Sequence, residues 1–435
     1  MKKIRFLLLL CSAFGIVKAQ TPILDSWIRN TTGLTASYWE NANGNPTSPN
    51  FVFHTTTDSA NVLSVCYNNS WVYVRSEGMT TDMGQFLNPG SPTAQGYVFS
   101  FPKTSSAATS PVTVPTTFTV GVLINGIPAF GNGDATSWSG QSQTNTNQGQ
   151  QVWNVDAWYG EGFVLDTAFA AHPQQDGAYH SHATPHRLYD FPSTSHSPIV
   201  GFAFDGYPIY GPYGYTNPNS ASGGVSRMES SYQLRSMTTR QTLPDGTVLQ
   251  PQEYGPTVSN THPLGEYIED YEYISNLGDL DANNGRTCIT PEYPGGTYAY
   301  FVTTDANGDP AFPYYLGAEY YGTLDEDNLD PQATISIPGG VNCLTGATSI
   351  VQAHPSEATM SVAPSIVDQR FTLTWQKAKI DRILVLDAMG SILVDLQKPQ
   401  GDHVEIETAD WAAGVYHCQL VTAEANHGLK IVVQH

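Results

Sequence analysis

The strongest constraint on the fold of this chain comes from short stretches in which apolar and polar residues alternate. They recur up to residue 305, at 62–77, 96–102, 116–126, 199–206 and 296–305. Successive side chains of a β-strand point to opposite faces of a sheet, so this alternation is typical of half-buried strands. The chain is therefore predicted to be all-β or β-dominated.

Turn-forming residues separate these stretches. Asn125-Gly126, Asp205-Gly206 and Asn307-Gly308 are pairs that accept a positive φ. The chain has 39 glycines and 29 prolines and only 13% charged residues, which favours short strands and tight turns over long helices. The stretch 131–151 has few apolar residues and is predicted to be a mobile loop.

The length of 435 residues predicts more than one domain. Residues 20–345 are expected to form an irregular, sandwich-like β-rich region. Residues 346–435 begin with a polar linker and continue as short alternating strands. Regular turns between such strands are typical of a small β-sandwich.

The N-terminus has the features of a secretory signal peptide over 1–19. Basic residues within the first five positions precede an apolar run over 6–17, and Gln20 is the expected first mature residue. The run is too short to span a bilayer, and no transmembrane segment is predicted elsewhere. Removing the four bases of 1–19 takes the formal charge from −21 to −25. This charge disfavours nucleic-acid binding and is compatible with cations.

Four cysteines remain beyond the signal peptide: Cys66, Cys288, Cys343 and Cys418. An exported chain can oxidise such residues, and Cys288 with Cys343 is the expected pair because both flank one predicted sheet region. Buried free thiols are the open alternative. The absence of a Cys-x-x-Cys motif from the sequence excludes a cysteine zinc ribbon.

Histidines are concentrated in and before the segment DGAYHSHATPH, residues 176–186. On a strand, His180 and His182 project from one face, and a turn over 173–177 can bring His172 beside them. Three neutral imidazoles with an open coordination position suit zinc or copper. Tyr179 and Ser181 would then point to the opposite face.

The remaining histidines of this part of the chain, His186 and His196, lie in loop-like surroundings and are not expected to be ligands. Asp205 is first a turn residue. It is also a candidate fourth ligand, or a partner for the second ring nitrogen of a ligating histidine. A Ser181–His180–Asp205 triad is disfavoured, because neighbours on one strand face opposite ways.

A second candidate cation site lies at residues 278–286. Asp279, Asp281 and Asn283 alternate as in a calcium-binding loop, but Asn284 stands where that loop requires glycine. The stretch is either a calcium site or an acidic hairpin turn. Nearby, the tyrosines of 207–215 are either core residues or a platform for a sugar or peptide.

Several motifs follow one another in the order of a known family: VGVLINGIPAF (120–130), VWNVDAWYGEGFVLD (152–166), AYHSHATP (178–185), SPIVGFAFDGYPIYGPYGY (197–215), LGEYIEDYEY (264–273), GDLDANNGRTCITPEYPGGTYAYFVTTD (278–305) and FPYYLGAEYYG (312–322). Over about residues 110–325 the chain resembles the YHYH domain family. The resemblance implies an exported β-rich domain in which His180, His182, Asp205 and the 279–286 loop belong to one recurrent design. The third position of the family's Tyr-His-Tyr-His motif is Ser181 here.

The C-terminal tail contains FTL (371–373), IDRILVLDAMG (380–390), AAGVYHCQL (412–420) and KIVVQ (430–434). This succession resembles the sorting domain of the type IX secretion system of Bacteroidetes, although 363–369 lacks the family's usual Asn-Pro. The resemblance implies Sec export followed by passage through the type IX machinery, to a secreted or outer-membrane-surface location.

Three functions are compatible with these features. The first is an exported protein that binds copper or zinc through His172, His180 and His182, for storage, redox or hydrolytic chemistry. The second is a cell-surface module for a glycan or protein ligand, with structural calcium. The third is a metal-dependent hydrolase. No GxSxG, HExxH or phosphate-loop motif occurs, so the sequence leaves enzymatic activity undecided.

Overall fold

A computed structural model describes residues 21–41, 51–81, 83–87, 90–147, 149–330, 334–344, 359–363, 366–367, 369–376, 380–386, 392–412, 414–422 and 426–433. The chain divides into two compact units, an N-terminal unit over 1–348 and a C-terminal unit over 349–435. The predicted signal peptide over 1–19 lies outside the described residues.

The described residues contain two short α-helices, α1 (Pro22–Asp25) and α2 (Ala157–Glu161). Single 3-10 turns lie at His186–Leu188, Pro251–Glu253, Ile268–Asp270 and Glu326–Leu329. None of these helices is long and apolar enough to cross a membrane.

All the other regular elements are strands. Those of the N-terminal unit are, in chain order, β1 (Thr35–Asn41), β2 (Phe51–Ser59), β3 (Val62–Tyr67), β4 (Trp71–Ser76), β5 (Met83–Phe86), β6 (Tyr97–Pro102), β7 (Ala107–Thr113), β8 (Thr119–Leu123), β9 (Pro128–Phe130), β10 (Gly133–Ser139), β11 (Thr144–Thr146), β12 (Asn154–Asp156), β13 (Ala171–Pro173), β14 (Tyr179–Ser181), β15 (Ile199–Ala203), β16 (Pro208–Tyr210), β17 (Tyr213–Asn217), β18 (Ser220–Arg227), β19 (Tyr232–Leu234), β20 (Tyr271–Tyr273), β21 (Gly285–Cys288), β22 (Thr297–Phe301), β23 (Glu319–Gly322) and β24 (Asn342–Cys343). Those of the C-terminal unit are β25 (Thr359–Ala363), β26 (Ile366–Val367), β27 (Arg370–Gln376), β28 (Ile380–Leu386), β29 (Ile392–Gln397), β30 (His403–Glu407), β31 (Gly414–Thr422) and β32 (Asn426–Val433).

An eight-stranded mixed sheet organises the N-terminal unit, in the order β13-β14-β9-β8-β15-β16-β22-β21. Its neighbours are antiparallel except for the parallel pairs β14–β9 and β16–β22. A four-stranded sheet, β24-β3-β4-β6, accompanies it. Smaller sheets are formed by β2-β1-β5, β11-β10-β12, β17-β18, β19-β20 and β23-β7.

Aromatic side chains join the eight-stranded and four-stranded sheets. The buried Trp27 lies with its ring centroid 5.6 Å from Phe101 on β6 and 5.2 Å from Phe202 on β15. Phe99, also on β6, lies 5.9 Å from Phe204. Rings of this size remove large apolar areas from water and so hold the two sheets against one core. The predicted β-dominated, sandwich-like architecture is confirmed.

The alternating stretches form strands as predicted, and 62–77 folds as two of them. Asn68 ends β3, because its Oδ1 accepts hydrogen bonds of 2.8 Å from the backbone N–H groups of Ser70 and Trp71. The three predicted turn pairs have glycine φ angles of 86°, 79° and 95° at Gly126, Gly206 and Gly308, respectively.

The prediction of a mobile loop over 131–151 is wrong. β10 pairs with β11, with Ser137 opposite Thr146. Within this polar stretch Trp138 is buried in a cluster with Trp153 and Tyr267. One large buried ring offsets the low apolar content, and serine and threonine are compatible with exposed strands.

The predicted Cys288–Cys343 disulfide is also wrong. Cys343 on β24 lies directly opposite Cys66 on β3, and these two residues form the disulfide, with an S–S distance of 2.06 Å. Cys288 is a buried free thiol on β21 of the other sheet, and Cys418 is buried and free in the C-terminal unit. The long-range pairing of β24 with β3 decides the disulfide, and local spacing does not reveal it.

The C-terminal unit has two sheets, β25-β27-β30 and β26-β32-β31-β28-β29. Phe371 and Trp375 from the first sheet and Ile383 and Tyr416 from the second belong to one buried cluster. This arrangement confirms the predicted small C-terminal sandwich.

Candidate metal centre

The strand pair β13–β14 positions the histidines. The two strands are antiparallel, with His172 directly opposite His180. The backbone N–H of His182 donates a 3.0 Å hydrogen bond to the carbonyl of Ala170, so the pairing continues past β14. The intervening turn ends at Gly177, whose φ of 86° few other residues adopt. The predicted return of His172 toward His180 and His182 is confirmed.

The three imidazoles are buried and converge. Their residues are only 4%, 1% and 3% exposed for His172, His180 and His182. One potential ligand nitrogen from each lies within 4.8 Å of the others. The Nε2 atoms of His180 and His182 are 2.9 Å apart. Three buried nitrogens around one point are a donor set for a metal ion.

His180 has a defined tautomer. Its Nδ1 lies 2.9 Å from the carbonyl oxygen of Ala178, which can only accept, so Nδ1 carries the proton and Nε2 presents a lone pair. Burial, and then the neighbouring imidazoles, hold the pKa of His180 well below its ordinary value. Phe130 stacks on this ring at a centroid distance of 3.8 Å. The imidazole is therefore neutral and held in place, as a metal ligand must be.

Sequence reasoning did not identify Glu161, the last residue of α2. Its Oε2 lies 3.3 Å from Nε2 of His172 and 3.1 Å from Nε2 of His182. Burial raises the pKa of Glu161, but hydrogen bonds from the two histidines outweigh it and hold the pKa well below the ordinary value. The Nδ1 atoms of these two histidines have no hydrogen-bond partner among the described residues. Glu161 is thus the polar group that orients both rings.

A cavity of about 390 Å³ opens beside these groups. We call it the histidine cavity; its lining includes His172, His180, His182, Glu161, Phe130 and Gln174. Three imidazole nitrogens and one carboxylate fit zinc or copper, and the cavity leaves space for a further ligand on such an ion.

Residues 98–311 match the model of the family described as YHYH protein. This part of the chain is therefore similar to the YHYH family. The match includes His172, His180, His182 and Glu161. It begins before the predicted range of 110–325 and also ends before that range does. No curated protein matches the chain.

Ser181, the motif position that departs from the family name, lies away from the histidine cavity. Ser181 is buried, and its Oγ lies 2.5 Å from the carbonyl oxygen of Phe169 and 2.6 Å from the hydroxyl of Tyr315. Tyr179 donates a hydrogen bond to Asp166. Both side chains therefore occupy the strand face opposite the two histidines, as predicted, and the missing tyrosine removes no candidate ligand.

Asp205 lies outside the histidine group. Its Oδ2 accepts hydrogen bonds of 2.6 Å from the hydroxyl of Tyr300 and 2.9 Å from the N–H of Gly322, and its Oδ1 accepts one from Tyr207. Burial raises the pKa of Asp205 to about 6. This residue closes a buried turn, which is the first of its predicted roles.

The acidic stretch at 278–286 is a turn whose carboxylates accept hydrogen bonds from within it and from nearby residues. Oδ1 of Asp281 accepts from the N–H groups of Asn283 and Gly285 and from the hydroxyl of Tyr298, and Oδ2 of Asp279 accepts from the N–H of Glu229. These oxygens already have donors, and they do not belong to the group of converging ligand atoms. Calcium at Asp279, Asp281 and Asn283 stays a prediction.

The other candidate residues also have local roles. His186 contacts Thr184 and Tyr189 through its two ring nitrogens, and His196 contacts the carbonyl of Ser197. Neither belongs to the converging group. Tyr207 and Tyr210 of the proposed aromatic platform are buried, in agreement with the core interpretation.

Proposed function

We propose that this protein is exported and binds a divalent transition metal in the histidine cavity. His172, His180 and His182 supply nitrogen ligands, and Glu161 supplies a carboxylate oxygen or orients the rings. The observation that carries the proposal is the convergence of three buried imidazole nitrogens within 4.8 Å beside a partly buried carboxylate.

Copper or zinc fits this donor set better than calcium or magnesium. Imidazole nitrogen is a ligand for copper, zinc, iron and nickel, whereas the hard cations calcium and magnesium prefer oxygen. Among divalent first-row metals, copper binds most tightly to a given site, and zinc accepts three protein ligands and an open position.

Export and sorting complete the proposal. The basic and apolar pattern of residues 1–19 supports Sec-dependent export, and the tail motifs support transfer by the type IX secretion machinery. A separate, sandwich-like C-terminal unit is compatible with a sorting domain. The expected location is outside the cell or on the outer-membrane surface.

The test is the metal content of the mature chain, residues 20–435, purified without chelating resin. Mass spectrometry is expected to find one copper or zinc ion per chain, and His180→Ala/His182→Ala is expected to lose it. The matched control is His186→Ala, which removes a nearby histidine outside the converging group and should retain the metal. Absence of transition metal from the wild type at every metal supply would contradict the proposal.

A further inference from the structure

A second, larger cavity lies beside α2, the helix that ends at Glu161. It has a volume of about 570 Å³, within the roughly 300–1,000 Å³ typical of small-molecule sites. Trp158 and Tyr159 of α2 line it, together with residues of β19, β20 and the 304–314 segment. We call it the aromatic cleft.

Aromatic rings form much of its wall. Tyr271 and Phe312 stack with centroids 4.2 Å apart and planes within 3°, and Tyr232 packs edge-on against Phe312. Tyr159 is 45% exposed, so its ring is accessible to a ligand from the cleft. Exposed aromatic faces of this kind can cover the C–H face of a flat, polar ligand.

A buried acid lies beneath this wall. Oδ1 of Asp156 accepts hydrogen bonds of 2.7 Å from the hydroxyl of Tyr314 and 2.9 Å from the N–H of Tyr159. Its Oδ2 is buried and has no hydrogen-bond partner among the described residues. An unpaired buried acceptor is costly, so this oxygen favours a ligand that brings a hydroxyl or N–H donor.

The charges of the cleft disfavour an anionic ligand. Arg227 is the single lysine or arginine among its lining residues, and its guanidinium is paired with Glu229 at 2.8 Å and with the carbonyl of Thr304. Asp305 and Asp156 also line the cleft, so its acidic groups outnumber its basic ones. A neutral ligand avoids like-charge repulsion with these acids.

We infer that the aromatic cleft binds a neutral saccharide. Tyr159, Tyr271 and Trp158 stack on the sugar rings, and Asp156 accepts a hydrogen bond from a ring hydroxyl. A hydroxyl-rich ligand with apolar C–H faces satisfies both the exposed rings and the unpaired oxygen. This inference is independent of metal binding, although α2 contributes to both cavities.

The test uses the mature chain and a panel of neutral hexasaccharides: cellohexaose, xylohexaose, mannohexaose and maltohexaose. Binding to at least one of them is expected from titration calorimetry, together with a change in tryptophan fluorescence because Trp158 lines the cleft. Tyr159→Ala is expected to weaken that binding at least tenfold, since stacking on one ring is lost. This ring is exposed, so its removal should not impair folding.

Two controls make the outcome decisive. Phe53→Ala removes another exposed ring, on β2, that does not line the cleft, and should bind the sugar as the wild type does. Asp156→Asn should weaken binding, and circular dichroism verifies that it folds. Absence of binding to all four hexasaccharides would overturn the inference, as would equal affinity in Tyr159→Ala and wild type. Metal content measured on the same samples shows whether the histidine cavity is intact.

Discussion

The histidine cavity and the acidic turn at 278–286 both contain alternating polar residues, yet they differ in what those residues contact. The ring nitrogens of His180 and His182 face each other across 2.9 Å, next to Glu161. The carboxylate of Asp281 instead accepts hydrogen bonds from its own turn and from Tyr298. One region presents ligand atoms to a common point, and the other uses them to hold its backbone.

The difference shows that alternation alone does not make a metal site. A carboxylate followed by free backbone N–H groups satisfies itself locally as an Asx turn. Imidazoles on paired strands have no such local partner, and the strand register brings a third ring to them. Convergence of groups from distant parts of the chain therefore distinguishes the cavity from the turn.

The largest expected effect concerns the strand that carries the two histidines. Restoring tyrosine with Ser181→Tyr should lower the free energy of unfolding by about 3 kcal/mol, because the site is buried against Tyr315 and overpacking of that kind costs up to this amount. Urea denaturation measures the loss, and Ser181→Tyr/Tyr315→Ala should recover part of it. Ser181→Ala should retain the metal. Loss of metal in Ser181→Ala would contradict this account, because it would indicate that a ligand lies on the strand face opposite His180 and His182.

The buried carboxylate of Asp205, unlike that of Glu161, lies away from the histidine cavity, and it should make the stability of the fold depend on pH. Its folded-state pKa is raised to about 6, so the folded chain binds more protons than the unfolded chain between about pH 4 and pH 6. Its contribution to stability is therefore greatest below its unfolded pKa and is lost as the pH rises through about 6. For this group the change is on the order of 2–3 kcal/mol.

Urea denaturation of the wild type and of Asp205→Asn from pH 4 to pH 8 isolates this contribution from those of other buried acids. The wild type should lose more stability than the variant as the pH rises. Parallel curves for the two proteins would show that Asp205 is not the buried, high-pKa group described here.

Glu161 and Asp281 are a matched pair of carboxylates in the two regions. Glu161→Gln should lower the affinity for copper or zinc by about 10–100-fold, the usual effect of removing a carboxylate that orients ligating histidines. Competition with a chromogenic chelator measures this change. Asp281→Asn, the same substitution in the turn, should leave the affinity unchanged; equal losses in both variants would remove the distinction between the regions.

The smallest effect is expected in the turn. Asp281→Ala removes three hydrogen bonds to a partly buried carboxylate and should lower stability by about 1–2 kcal/mol, with or without calcium. Thermal unfolding with calcium or with a chelator measures this. A calcium-dependent stabilisation of the wild type that disappears in Asp279→Asn would instead establish the turn as the calcium loop that the sequence suggested.

The strands and the three histidines could be predicted because they depend on local patterns. Alternation defines β6, β8, β15 and β22, and the turn after His172 limits where that residue can lie. Glu161 could not be predicted in this way, because the tertiary packing of α2 brings it to the histidines. Its position within the family-like stretch 152–166 was the available signal.

The disulfide shows the same limit of local patterns. Cys66 and Cys343 are 277 residues apart, and the register between β3 and β24 pairs them. Likewise, the buried Trp138 gives 131–151 its strands although the stretch is polar overall. In both cases a long-range contact outweighs the local composition.

Anomalous diffraction from crystals of the metal-loaded mature chain, recorded at the copper and zinc absorption edges, tests the central claim most directly. We predict one anomalous peak within the histidine cavity, in contact with ring nitrogens of His172, His180 and His182 and beside the Glu161 carboxylate. A peak at the acidic turn with none in the histidine cavity, or no peak in the cavity at either edge, would contradict the account.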